Sequence, residues 1–263
     1  MKKIKLFQVD AFADRLFAGN PAAVCPLDEW LPEEIMQSVA AENNLAETAF
    51  IVPKEDYFEI RWFTPAVEVD LCGHATLASA YVLFNCLGYE KPEIVFHSRN
   101  SGILKVSKTN DTLFLDFPAD TLENSHNSKL MAVCIGMVPQ EVYRGKTDYI
   151  AVVGSENEVK NMKPDLKAIA ALDARGLIVT AKGDDVDFVS RFFGPRVGVD
   201  EDPVTGSAHT SLTPLWSKKL GKKEMKAKQL SKRGGSLACV DNGERILIGG
   251  KAKLYLTGEI NID

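Results

Sequence analysis

Two stretches of this chain are copies of one another, and that duplication restricts the fold more than any other feature. Residues Arg61–Asp70 (RWFTPAVEVD) and Arg191–Asp200 (RFFGPRVGVD) share six identities in ten positions at an offset of 130. Further on, Gly73, His74 and Ala75 lie over Gly206, Ser207 and Ala208, and Ser98–Gly102 lies over Ser231–Gly235, both at an offset of 133. Order, spacing and identity agree together, which chance seldom arranges. Two copies indicate a duplicated domain with pseudo-twofold symmetry, because solenoids need roughly three or more units. The expected domains are 1–119 and 120–263, with the last strand free to cross over, the polar stretch Asp120–Ser128 as the link, and a cleft between the copies.

A chain of 263 residues that is 45% hydrophobic and 25% charged has ample material for two such modules. Its net charge of −5 and the lack of any long Lys/Arg run argue against nucleic acid as a partner. No stretch reaches the ~18 apolar residues of a membrane span. The Lys-rich start is interrupted by Asp10 and Asp14 before any apolar leader develops. Five scattered cysteines, none in C-x-x-C spacing, argue against a disulfide framework or a zinc site and fit a reducing cytoplasm.

Local pattern places strands and helices within the first copy. Alternation over Lys3–Asp10 reads as a strand, and Gly19-Asn20-Pro21 is a turn before the apolar run Ala22–Cys25. Pro32, Glu33 and Glu34 suit the positive end of a helix whose apolar face is Leu31, Ile35, Met36, Val39 and Ala40. Ala49–Val52 and Phe58–Phe63 read as strands, and His74–Leu87 as a buried Ala-rich helix that stops at Gly88. Two more strands, around Leu104 and over Leu113–Phe117, finish this half.

The matched glycines mark where chemistry could sit. At Cys72-Gly73-His74 and Thr205-Gly206-Ser207 a loop enters a helix through glycine, leaving N–H groups free to hold an anion. Glu47, at the edge of the apolar strand after it, would lose solvation, which raises a carboxyl pKa toward the range useful for proton exchange. From residues alone Glu47 could equally be a surface glutamate, Asp202 a turn former before Pro203, and Ser207 a helix cap. Ala174–Val179 lies over Glu47–Val52 with no acid opposite Glu47, so any base is one-sided. The four histidines show no metal-ligand spacing, and His209 is expected to pack or cap. Cys72, at a helix start, is a candidate thiolate with no counterpart in the second copy.

The motifs Asn44–Phe50 (NLAETAF), Leu71–Thr76 (LCGHAT) and Glu201–Ala208 (EDPVTGSA) resemble those of the phenazine-biosynthesis (PhzF-like) isomerases. Val9–Phe12 and Gly19–Val24 match the same family, and the resemblance spans essentially the whole chain. It implies an α/β (α+β) fold like that of diaminopimelate epimerase and proline racemase: two pseudo-symmetric domains, each a curved mixed sheet wrapped around a central helix. It further implies a homodimer and a cofactor-independent, metal-free isomerase acting on a small carboxylated substrate. In such enzymes a glutamate moves a proton between carbons of a dihydro-hydroxyanthranilate ring. By the resemblance that glutamate is Glu47, with His74, Asp202 and Ser207 binding and orienting the substrate. Asn20, Cys72, Gly73, Ala75 and Gly206 line its site. The alternatives are an amino-acid racemase or epimerase using Cys72 with Glu47, and a small-acid binding protein without turnover.

Overall fold

The computed structural model describes residues 2–262 and separates into two compact units. The first runs to Asp116 and takes in the chain again from Gly249 onward; the second is Phe117–Ile248. Among the described residues no helix is long and apolar enough to cross a membrane, and all five cysteines are free.

In the first unit the strands are β1 (Lys2–Ala11), β2 (Asn20–Pro26), β3 (Glu47–Pro53), β4 (Phe58–Phe63), β5 (Glu68–Val69), β6 (Glu93–Ser98), β7 (Gly102–Thr109) and β8 (Thr112–Pro118). Two helices, α1 (Glu33–Asn43) and α2 (Gly73–Cys86), are inserted between them. The C-terminal strand Ala252–Ile262 lies antiparallel to β1 along its whole length, from Lys2 opposite Ile262 to Ala11 opposite Ala252. Thr48–Val52 is buried without a break, because β3 is covered on both faces. Phe50 and Val52 pack with Met36, Val39 and Ala40 of α1, while α2 lies against β1, β2 and β3. Nine residues of α2 between His74 and Leu83 are buried, which explains its lack of amphipathic pattern. Strand β6 escapes the sequence pattern, being short and alternating with Glu93, Val95 and His97 half-buried.

The second unit repeats the pairing scheme. Its elements are β9 (Glu123–Asn124), α3 (Ser128–Ile135), β10 (Glu141–Arg144), β11 (Asp148–Val152), α4 (Glu156–Asn161), α5 (Leu166–Ala170), β12 (Gly176–Lys182), β13 (Phe188–Gly194), β14 (Val199–Asp202), α6 (Ala208–Leu220), β15 (Glu224–Gln229), β16 (Gly235–Asp241) and β17 (Arg245–Gly250). β10 to β13 pair antiparallel, parallel and antiparallel in turn, as β1 to β4 do. β13 pairs parallel with β15 as β4 does with β6. Helices α3 to α5 cover the outer face of β11–β13 around Met131, Ile135, Val159, Ile169, Leu177 and Val179.

Side-chain bonding repeats as well. Arg61 donates through Nε and Nη2 to Glu68 while its guanidinium lies 5.1 Å from the Phe63 ring. Arg191 donates the same way to Glu201, 4.8 Å from the Phe193 ring. Ser98 Oγ donates to Asp70 O and accepts from Ser101 N; Ser231 Oγ donates to Pro203 O and accepts from Gly234 N.

Two readings need correction. The stretch Asp120–Ser128 is not a bare link: Glu123 and Asn124 pair with β10, and Asp120 accepts from Ser211 Oγ and Lys146 N. The strand alignment also slips by two residues. Phe50 lies opposite Arg61 and Val179 opposite Arg191, so Gly176, not Ala174, occupies the place of Glu47. A side chain cannot stand there, since a Cβ on Gly176 would meet Phe193 O at 2.5 Å and the Phe192 ring at 2.6 Å.

Candidate active site

The first unit gathers Glu47, His74, Cys72 and Asn20 around one imidazole. Glu47 opens β3, Asn20 opens β2 beside it, and His74 sits in the first turn of α2. β2 and β3 run parallel with Ala22 beside Glu47, so both strand starts reach the same edge. His74 Nε2 lies 2.9 Å from Glu47 Oε2. Its Nδ1 lies 3.2 Å from Asn20 Nδ2 and 3.5 Å from Cys72 Sγ. With Nε2–H turned to the carboxylate, Nδ1 accepts from Asn20 in the neutral ring and donates to Cys72 in the imidazolium. The glutamate side chain is 18% exposed and the histidine 7%, while the Oε2 that meets the ring is buried.

Electrostatics bias the protonation of His74 and Cys72. Burial opposes a charged His74, but the neighbouring Cys72 and Glu47 favour it and prevail, holding its pKa well above the ordinary histidine value. The Cys72 thiol is pushed up, first by burial and then by the Glu47 charge, against smaller opposing effects of His74 and the Ala75 N–H.

Helix α2 starts without a side-chain cap; Cys72 is extended, with φ −139° and ψ 108°. The first-turn donors of Gly73, His74 and Ala75 therefore lack a serine- or aspartate-type partner. Glu47, Cys72 and His74 also bring three ligand-type atoms within 4.8 Å of one another. The imidazole meets the thiol through Nδ1 at 3.5 Å and through Nε2 at 3.9 Å, and the carboxylate through Nε2, so the ring can pass a proton between the two.

In the second unit the matching helix start carries Gly206, Ser207 and Ala208. Ser207 does not cap α6: its Oγ accepts from Arg175 Nη1 at 3.0 Å. Asp202 ends β14, where its carboxylate accepts from Thr205 Oγ1 and its carbonyl accepts from Gln229 Nε2 at 2.8 Å. Asp202 and Ser207 thus share a loop but are tied to different partners. His209 is fully buried, with Nδ1 2.9 Å from Thr205 O, and burial lowers its pKa to about 4. It packs against Phe188, as a structural histidine does.

Arg175 and Asp148 were not legible as part of this group. Asp148 is buried, and Arg175 donates to it through Nε at 3.0 Å and through Nη2. These partners lie 27 residues apart, with no motif around either.

A family model described as "Phenazine biosynthesis-like protein" matches residues 9–258. The chain belongs to that family. Similar to it is an uncharacterized isomerase of Pseudomonas aeruginosa, 49% identical over 260 residues, covering 99% of this chain and 100% of the relative. A human phenazine biosynthesis-like domain-containing protein is 40% identical over 286 residues, covering 98% and 99%. The crystal structure of a PhzF family protein from Enterococcus faecalis superposes with a TM-score of 0.97 at 46% identity, covering 99% and 100% of the two chains. A hydroxyproline epimerase from Agrobacterium vitis, solved with bound trans-4-hydroxy-L-proline, shares the fold alone, with a TM-score of 0.56 at 10% identity over 99% and 91%. The α+β fold with sheets wrapped on central helices is therefore that of the family and of the epimerases.

Proposed function

We propose that this protein is an isomerase that moves a proton within a small carboxylated metabolite, with Glu47 as the transferring base. The observation that carries the reading is the 2.9 Å approach of Glu47 to a histidine whose pKa is raised. His74 holds the neighbouring carboxylate in place, ready to take a proton from an acidic C–H of the substrate. The same carboxyl then returns the proton to another carbon of the resulting anion. Bonds and electrons balance with no oxidant, reductant or cofactor. The N–H of Gly73 would hold the substrate's negative charge, beside Asn20 and Cys72. Asp202, Gly206 and Ser207 are assigned to binding on the strength of the family motif and of the repeat, which aligns Ser207 with His74.

The raised thiol of Cys72 speaks against a two-base racemase, since burial and the Glu47 charge disfavour its thiolate. The test is a screen of small carboxylates by thermal stabilisation, since whatever binds the folded chain raises its stability by mass action. Hits are then incubated in deuterium oxide. A bound acid that gains deuterium supports the isomerase; binding without exchange would favour a binding protein.

A further inference from the structure

We infer that the first unit carries a second ligand site, on the α1 side of β4, where Arg61, Arg99, Trp30 and His97 take up a small planar monocarboxylate. Its place is a cavity of about 330 Å³ whose walls include Trp30, Glu59, Arg61, His97 and Arg99. Arg61 bonds to Glu33 of α1, and Phe63, two residues further along β4, packs with the same helix, so the guanidinium lies on the α1 face. Glu47, His74, Cys72 and Asn20 do not line the cavity, and the inference stands apart from the proton transfer assigned to Glu47.

The unspent donors of Arg61 point to an occupant. Its Nε donates to Glu68 Oε1, and its Nη2 to Glu68 Oε2 and Glu33 Oε2, all at 2.6 Å. Both N–H groups of Nη1 remain: among the described residues no acceptor meets them, and the atom is not closed off from solvent. The duplicated arginine shows what such an atom takes. Arg191 donates to Glu201 through the same two nitrogens, while its Nη1 donates to Val159 O at 3.2 Å and Met162 O at 3.0 Å at the end of α4. In the first copy α1 supplies the Glu33 carboxylate but no carbonyl for Nη1, and Arg61 faces the cavity instead. The Arg61 side chain is 13% exposed and held between Glu33, Glu68 and the Trp30 and Phe63 rings, so an acceptor would bind it at little entropic cost.

The surroundings set the chemistry of the occupant. Oxygen acceptors suit Nη1, and a charged oxygen makes the stronger bond. Arg61 is paired with Glu33 and Glu68, Lys54 with Glu59, and Arg99 is close enough to Glu68 to help Arg61 hold that carboxyl low. Three cations thus face three carboxylates, a balance that admits one negative charge on the open guanidinium edges and disfavours a dianion. Trp30 is fixed by its Nε1–H on Glu59 Oε2 at 2.8 Å, and His97 by stacking on Tyr57 with ring centroids 4.0 Å apart. Two rings held in this way give flat walls to a cavity at the lower end of the size range of ligand pockets, which suits an aromatic acid.

The test is an NMR titration of the full chain that follows the indole N–H signals of its three tryptophans, with Trp30 identified by the signal lost in Trp30→Phe. Benzoate should shift the Trp30 signal saturably. It should bind about tenfold more tightly than neutral benzamide or than phenyl phosphate, which carries nearly two charges near pH 7. Arg61→Lys keeps the charge but loses Nη1, and should weaken benzoate about tenfold. Arg99→Gln, at an exposed position, should weaken it about threefold in a protein of wild-type stability. His74→Gln should leave the Trp30 titration unchanged. An unmoved Trp30 signal, tighter binding of phenyl phosphate or benzamide, wild-type titration by both arginine variants, or loss of the response in His74→Gln would each overturn the inference.

Discussion

Glu47 Oε2 and His74 Nε2 approach to 2.9 Å, joining the first residue of one strand to the first turn of the central helix. The contact favours the protonated ring as well as holding a position, and that makes it testable through pH. The folded-state pKa of His74 is raised above its unfolded value of about 6.5. Stability from the pair is therefore fully present below about pH 6.5 and lost as pH rises through the raised folded value. Urea unfolding of the wild type and of His74→Gln should show a gap that is widest in mild acid and narrows toward alkaline pH. A gap that widens with pH would mean that the imidazole is neutral in the fold.

Gly176 should tolerate no side chain. A methyl group there collides with a backbone carbonyl and a buried ring, so Gly176→Ala should cost about 1–3 kcal/mol in chemical unfolding, the usual cost of overpacking.

The duplicated arginines should behave alike. Arg61 and Arg191 are mostly buried and each makes a two-pronged bond to a glutamate on the next short strand. Lysine cannot reproduce that fork, and Arg61→Lys and Arg191→Lys should each lose about 1–3 kcal/mol by denaturant midpoint. Widely unequal losses would mean that the repeat is geometric without being energetic.

Cys72 should resist alkylation. Burial and the Glu47 charge hold its thiol up, so iodoacetamide labelling near pH 7 should be slow and should accelerate only in strong alkali. Cys72→Ser should retain deuterium exchange within about tenfold of the wild type, whereas a loss of the size expected for a catalytic base, about 10² or more, would restore the two-base racemase.

How much of this could be read from the sequence follows from separation along the chain. The repeat was legible because Arg61, Phe63, Pro65, Val67, Val69 and Asp70 recur in order, and of these Arg61 and Phe63 make paired contacts matched by Arg191 and Phe193. Glu47 and His74 were legible because short motifs surround them. Strand register was not, since apolar strings such as Ala49–Val52 and Leu177–Val179 align almost equally well at neighbouring offsets. Only hydrogen bonding against β4 and β13 fixes the frame. Nor was the Asp148–Arg175–Ser207 group visible, because its members lie 27 and 32 residues apart and are brought together only by the fold.

The most direct measurement is solvent deuterium incorporation into a bound carboxylate by wild type and Glu47→Gln at equal concentration, with the fold of both verified by circular dichroism. The variant should lose about 10² to 10⁴ of the exchange rate while still binding the acid. Exchange at the wild-type rate in a folded Glu47→Gln protein would contradict the assignment of Glu47 as the base.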